Sequence, residues 1–321
     1  MREKARHGEL LAELFRLRGS EFAKCWWPVD SCSNQAIRAH SVQNARAFDL
    51  LCEEGHVIAP VLRLRAGNGP DISLERVGRN RATTFLGLCS IHDQQLFAPI
   101  EKHALDIHDQ RHQFLLAYRA TYYETHATAA AAVLLQSGYR KTTDLGINPH
   151  DAPSRAGMAA VERMVVSYET WKYKSILDEA YLEGRFDALE HDLLELRVNR
   201  PTIAASVLFS LDDVERGDDV VRVCLTVLPV EPTLTYALLS YLPQDAALAR
   251  ASLTRVLDSH GNYQQYELSR RLLNHGQNFV LAPSFVASWS ATRLETVTDL
   301  FRRTIFHNDL DFDDPGLTLF E

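Results

Sequence analysis

The spacing of apolar and polar positions divides the chain into helix-patterned and strand-patterned stretches. Residues 1–19 place Leu10, Leu11, Leu14 and Leu17 on one side of a helix that Gly19 closes. Residues 22–60 are irregular, with a short strand or turn leading into a helix between Ala36 and Cys52. Val57–Leu64 and Thr83–Leu88 read as strands, AGNGPD (66–71) as a turn-rich loop, and Cys89 opens a short helix, CSIHDQQLFAPIE. His103–Gln136 carries an apolar stripe through Leu105, Phe114, Leu115, Tyr118 and Tyr122, then the helix-forming run ATAAAAVLLQ. A break is expected from Gly138 to Pro153, followed by helices over Arg155–Leu182 and Phe186–Asn199. Beyond Pro201 the pattern turns to strands in TIAASVLFSL, VVRVCLTVLPV and LTYALLSYLP. Helices follow over 246–257 and 266–274, FVLAPSFVASW reads as a strand and turn, and 291–306 as a last helix. The fold class this implies is α+β. A small N-terminal module (1–101) precedes a segment of long central helices (102–199) and a C-terminal mixed α+β domain (200–321).

Composition changes this picture little, but charge does. With 46% hydrophobic and 24% charged residues, the 321-residue chain is of globular type, which excludes disordered, collagenous and disulfide-scaffold classes. No apolar run approaches the roughly 20 residues of a membrane helix, so no membrane partner is expected. The charged N-terminal stretch suits an amphipathic helix better than a signal peptide, and the expected location is cytoplasmic. Residues 1–125 carry 16 Lys/Arg and 15 Asp/Glu, whereas the remainder carries 18 and 27. The acidic balance (−8 overall) therefore lies in the C-terminal part, which confines any nucleic-acid contact to the N-terminal third.

Four of the five cysteines fall early, at 25, 32, 52 and 89. Thiols clustered without a secretory signal point to metal before disulfides. Cys25-x6-Cys32 and Cys89-x2-His92 deliver four sulfur and nitrogen ligands in two pairs, the second at a helix start. Zinc takes four such ligands as a tetrahedron. A knuckle, a hairpin region and a helix bearing the last two ligands form the treble-clef layout, with zinc in a structural role. Cys52 and Cys224 read as small buried hydrophobes.

The segments CWWPVDSC, IRAHSVQ, GHV and TTFLGLCSIHDQQLF, spanning about residues 22–101, resemble the HNH (ββα-metal) nuclease superfamily with a zinc-stapled finger. The pattern AHSxQ…GHV…CxxHD also resembles that of bacterial proteins without an assigned activity. The resemblance implies a metal-dependent endonuclease that hydrolyses phosphodiesters of DNA or RNA, with bacterial defence as a setting. It makes His40 the general base and Asp93 a ligand of a catalytic Mg²⁺ or Mn²⁺. The family commonly has Asp or His before the base, where this chain has Ala39. Its Asn has no clear counterpart; Asn80 is nearest and Asn68 next. His56 stands near the hairpin as a substitute ligand or as a support in the second layer around the metal.

The remaining features read as structural. His108 and His112, at helical spacing beside His103 and Asp109, fit a solvated face better than a chelate. Arg63, Arg65, Arg76, Arg79 and Arg81 flank the module and could meet phosphates, with Trp26 and Trp27 stacking on bases, although the Trp pair suits the finger's own core better. The run DLDFDDPG lacks the spacing of a calcium loop and reads as a solvated tail. No G-x-S-x-G or P-loop pattern occurs. Two functions remain: the nuclease, and a catalytically inactive zinc-stabilised binding or scaffold protein whose C-terminal domain meets a protein partner.

Overall fold

The computed structural model describes residues 6, 8–10, 12, 13, 16, 22–29, 32–42, 46–65, 69–147, 154–211, 220–307, 314 and 316–321. Strands are β1 (Ala39–His40), β2 (His56–Arg65), β3 (Gly69–Gly78), β4 (Thr84–Phe85), β5 (Glu190–Arg197), β6 (Ile203–Leu211), β7 (Val221–Glu231), β8 (Leu234–Tyr241) and β9 (Phe279–Leu281). Helices are α1 (Ala47–Leu51), α2 (Ser90–Glu101), α3 (Gln110–Asp144), α4 (Arg155–Leu182), α5 (Ala246–Ser252), α6 (Thr254–Leu257), α7 (Gly261–His275), α8 (Pro283–Ala287) and α9 (Ala291–His307). The architecture is mixed α+β with two long central helices.

β1 and β4 pair antiparallel, Ala39 opposite Phe85 and His40 opposite Thr84. The other strands form one seven-stranded sheet in the order β3-β2-β9-β6-β7-β8-β5, with antiparallel pairings throughout. Its strands come from residues 56–78, 190–241 and 279–281. β6, β7 and β8 are buried almost end to end, because both faces of the sheet are covered. Alternate residues serve opposite layers. Val207, Phe209, Val223 and Leu225 join a core with α1, α7 and α9. Leu208, Cys224 and Leu238 join a second core with α2, α3 and α4. Cys25 and Cys89 belong to that second core, so the N-terminal segment rests on the long helices.

Several elements differ from the sequence expectation. β3 begins at Gly69, inside the stretch expected as a loop, and pairs with β2 over ten residues. Residues 186–199 hold strand β5 in place of a helix, because EHDLLELR pairs along the whole of β8 and cross-strand contacts override a weak helical periodicity. The strand expected over 83–88 shortens to Thr84–Phe85. α3 starts only at Gln110, where the Asp109 side chain accepts from the His112 amide at 2.8 Å and caps it. It then runs through the buried Gly138 to Asp144, where a break was expected. α4 spans the expected residues. The described residues between 6 and 16 are helical, and the rest of the 1–19 helix lies outside the described residues. So does most of DLDFDDPG, after which Leu317, Leu319 and Phe320 turn back into the core.

Candidate metal centre and its neighbouring polar cluster

The first ligand pair sits where the chain doubles back. Lys24 bridges Gln35, and the Ala36 amide donates to the Ala23 carbonyl at 3.1 Å. Two bonds tie this knuckle to the approach to α2: the Trp26 amide donates to the Gly87 carbonyl at 2.9 Å, and the Ile37 amide to the Leu88 carbonyl at 2.8 Å. Gly87 is required there, since a Cβ would lie 2.3 Å from the ring of the buried Phe85. The second pair comes from the start of α2, with Cys89 as its N-cap residue in an extended conformation and His92 in the first turn.

These elements bring Cys25, Cys32, Cys89 and His92 together, with all four ligand atoms within 4.8 Å of one another. His92 Nδ1 is 3.4 Å from the sulfurs of both Cys25 and Cys89, and Cys32 Sγ is 3.9 Å from Cys89 Sγ. Zinc bonds of about 2.3 Å to sulfur and about 2.0 Å to nitrogen place tetrahedral ligands about 3.8 Å (S–S) and about 3.5 Å (S–N) apart. The Cys3His group is thus at metal-binding distance, and its donor set fits a structural zinc.

The surroundings act in opposite directions on two of the thiols. The Cys89 amide donates to Cys25 Sγ at 3.3 Å. Burial alone raises the Cys89 thiol pKa, but the amides of His92 and Ile91 at the helix N-terminus, with Cys32, outweigh it and lower the value. Burial pushes the Cys25 thiol up to about 11. The Trp27 ring stacks on His92 at 4.4 Å and 6°. Cys224 is a buried thiol held by the Ala117 carbonyl and Thr121, and Cys52 packs against the main core, so neither joins the cluster. Trp26 also packs against Phe22, with ring centroids 5.8 Å apart.

The short β1–β4 pair and α2 carry the two residues expected to do chemistry, His40 on β1 and Asp93 on α2. His40 Nδ1 lies 3.0 Å from the Ala82 carbonyl. A carbonyl only accepts, so Nδ1 carries the proton and Nε2 keeps its lone pair. Phe48 meets the ring edge-on at 5.6 Å. Burial lowers the His40 pKa, the Ala82 bond opposes this, and Arg119 lowers it further, so the ring is neutral at pH 7. The next residue anchors the strand: Ser41 donates from its amide (3.0 Å) and its hydroxyl (2.9 Å) to the Thr83 carbonyl. Ser41 also exchanges hydrogen bonds with buried Asn278, which donates to the Ser206 carbonyl of β6. Thr83 itself is left-handed (φ 55°), a strained state for a β-branched residue that these bonds hold in place.

Asp93, Phe97 and Glu101 follow one another at four-residue spacing and share one face of α2. Against that face lies Arg119 of α3, almost wholly buried, with its guanidinium 4.2 Å over the Phe97 ring and Nη2 donating to Glu101 Oε1 at 2.7 Å. Its Nε and Nη1 are buried and find no partner among the described residues. Burial raises the Asp93 pKa to about 6, against the pull of Arg119 and with a further push from Glu101. His40 and Asp93 therefore both feel the charges of Arg119 and Glu101. Sequence reasoning passed over Glu101 and Arg119; the available signal was a lone arginine inside the apolar stripe of α3.

The other expected residues stand elsewhere. His56 opens β2 opposite Gly78, its Nδ1 2.7 Å from the Glu54 carbonyl, and Asn80 is exposed in the turn after β3. Asn68 lies outside the described residues. Arg63, Arg76 and Arg79 pair with Glu75, Glu54 and Asp49. The His112 amide donates to the Asp109 cap of α3 while its ring stays near the Asp106 backbone, and neither it nor His108 joins a ligand cluster. Among the described residues no second set of three His, Cys, Asp or Glu ligand atoms lies as close as the Cys3His group. No helix of the described residues is long and apolar enough to cross a membrane. Comparison with known proteins finds no matching family model, no matching curated relative and no matching solved structure.

Proposed function

We propose that the chain is a zinc-stapled ββα hydrolase that cleaves nucleic-acid phosphodiesters. The observation that carries this reading is the placing of a neutral His40, with Nε2 as its free acceptor, in the same charged neighbourhood as Asp93 of α2. Cys25, Cys32, Cys89 and His92 would hold zinc and fix the start of α2 against the knuckle. His40 Nε2 would take the proton of the attacking water. The Asp93 carboxylate is the residue that would bind a hard divalent cation such as Mg²⁺ or Mn²⁺, which when bound stabilises the departing oxygen. Arg119 and Glu101 would hold the α2 face that presents Asp93.

A second reading is a zinc-stabilised scaffold without catalysis. Ala39, where the resembled family commonly has Asp or His, favours it, as does the lack of a second close ligand set among the described residues. Incubating the protein with plasmid, single-stranded DNA and RNA in Mg²⁺ or Mn²⁺, beside His40→Ala of equal zinc content, tests the two. The hydrolase reading expects cleavage that falls at least about 100-fold in His40→Ala. Cleavage unchanged in the variant removes His40 as the base, and no cleavage with either cation favours the scaffold.

A further inference from the structure

α4 presents apolar side chains to solvent along most of its length. Met158, Val161, Met164, Val165, Tyr168 and Trp171 are each 46 to 63% exposed, and Ile176 is 42% exposed. At 100° per residue they fall within one broad stripe opposite the buried face, which carries Ala160, Thr170, Tyr173, Leu177 and Ala180. A contiguous exposed apolar stripe of this kind marks an interaction surface. From Met158 to Ile176 it runs about 27 Å at the helical rise, long enough for a helix-on-helix contact.

Charge placement points to what covers it. Lys172 stands on the stripe and Glu162 at its edge, both exposed. Packed parallel against a copy of itself, α4 would set Lys172 against Lys172. Packed antiparallel, with a two-fold axis at Ser167, it sets Lys172 of each copy against Glu162 of the other. The same register sets Met158 of each copy against Ile176 of the other and gathers Val161, Val165 and Tyr168 at the centre. Lys172 already lies 3.1 Å from Glu169 within its own helix, so in this register it sits between two carboxylates. We propose that a second copy of this chain covers the stripe, giving a two-fold dimer through antiparallel α4 helices.

Sedimentation equilibrium of the full chain from about 1 to 100 µM tests this. The expected result is a dimer that Tyr168→Glu converts to monomer with an unchanged melting profile of the fold. Lys172→Glu alone should weaken association about tenfold, and adding Glu162→Lys should restore it. A wild-type chain that stays monomeric at 100 µM overturns the proposal. So does a dimer that survives Tyr168→Glu, or a double variant no better than Lys172→Glu.

Discussion

The indole of Trp27 lies flat on the imidazole of His92, with ring centroids 4.4 Å apart and 6° between the planes. The nitrogen that faces the sulfurs is His92 Nδ1, so the stacked indole holds the ring in the orientation that points it into the cluster. Groups that orient a metal-binding histidine are worth about 10- to 100-fold in metal affinity. Trp27→Ala should therefore release zinc to a chelator about tenfold more readily than wild type while the sheet stays folded. Competition with a colorimetric zinc chelator reads this. Equal retention would show that the stacking does not orient the ligand.

Arg119 is a buried cation whose one charged partner in hydrogen-bond contact among the described residues is Glu101 at 2.7 Å. Arg119→Ala removes the buried charge itself and leaves only the exposed Glu101 carboxylate, so its cost comes from lost packing. Arg119→Ala should lower stability by about 3 kcal/mol, since it empties the space over Phe97. Glu101→Gln, which keeps an acceptor, should cost less. Denaturant melts of the two variants give the comparison; a larger loss for Glu101→Gln would contradict the role given to Arg119.

His191 of β5 is a pH-dependent weak point. Burial lowers its pKa to about 4, and its Nδ1 lies 2.8 Å from Ser240 Oγ. The unfolded chain binds a proton near pH 6.5, where the folded chain does not. Its contribution is thus fully present above about pH 6.5 and is lost progressively as pH falls toward 4. The loss approaches about 3 kcal/mol at the acid end. His191→Gln should flatten the stability profile between these limits. Glu124, half-buried and raised by its desolvation to about 7, acts with the opposite sign, so Glu124→Gln should gain stability over wild type as pH rises toward 7. Melting curves from pH 4 to 8 check both.

The metal ligands were legible because zinc chemistry leaves residue types at fixed spacings, and Cys25, Cys32, Cys89 and His92 do meet. α4 was legible from a long helical run after the break at Pro153, and the structure adds its cap, Ser154, whose side chain accepts from the Gly157 amide at 3.1 Å. β3 and β5 were not, because their state is set by partners distant in sequence. Glycine and proline at the start of β3 mimic a loop, yet ten paired residues of β2 hold it as a strand. Glu190–Arg197 carries leucines that suit either period, and β8 decides the matter. The polar cluster was half legible: His40 and Asp93 lie in a motif, whereas Glu101 and Arg119 gain meaning only when α2 packs on α3. Asn278, which anchors Ser41 from more than 200 positions away, had no local signature at all.

Zinc content tests the account at its centre. Elemental analysis of the purified full-length chain should find one zinc per chain. Cys89→Ser should lose that zinc and should become open to proteolysis around Trp26–Asn34, where the knuckle is tied to α2. A wild-type chain carrying no stoichiometric zinc after purification and zinc titration, with the Cys25–Cys32 segment equally protected in Cys89→Ser, would contradict the zinc-stapled unit and the hydrolase built on it.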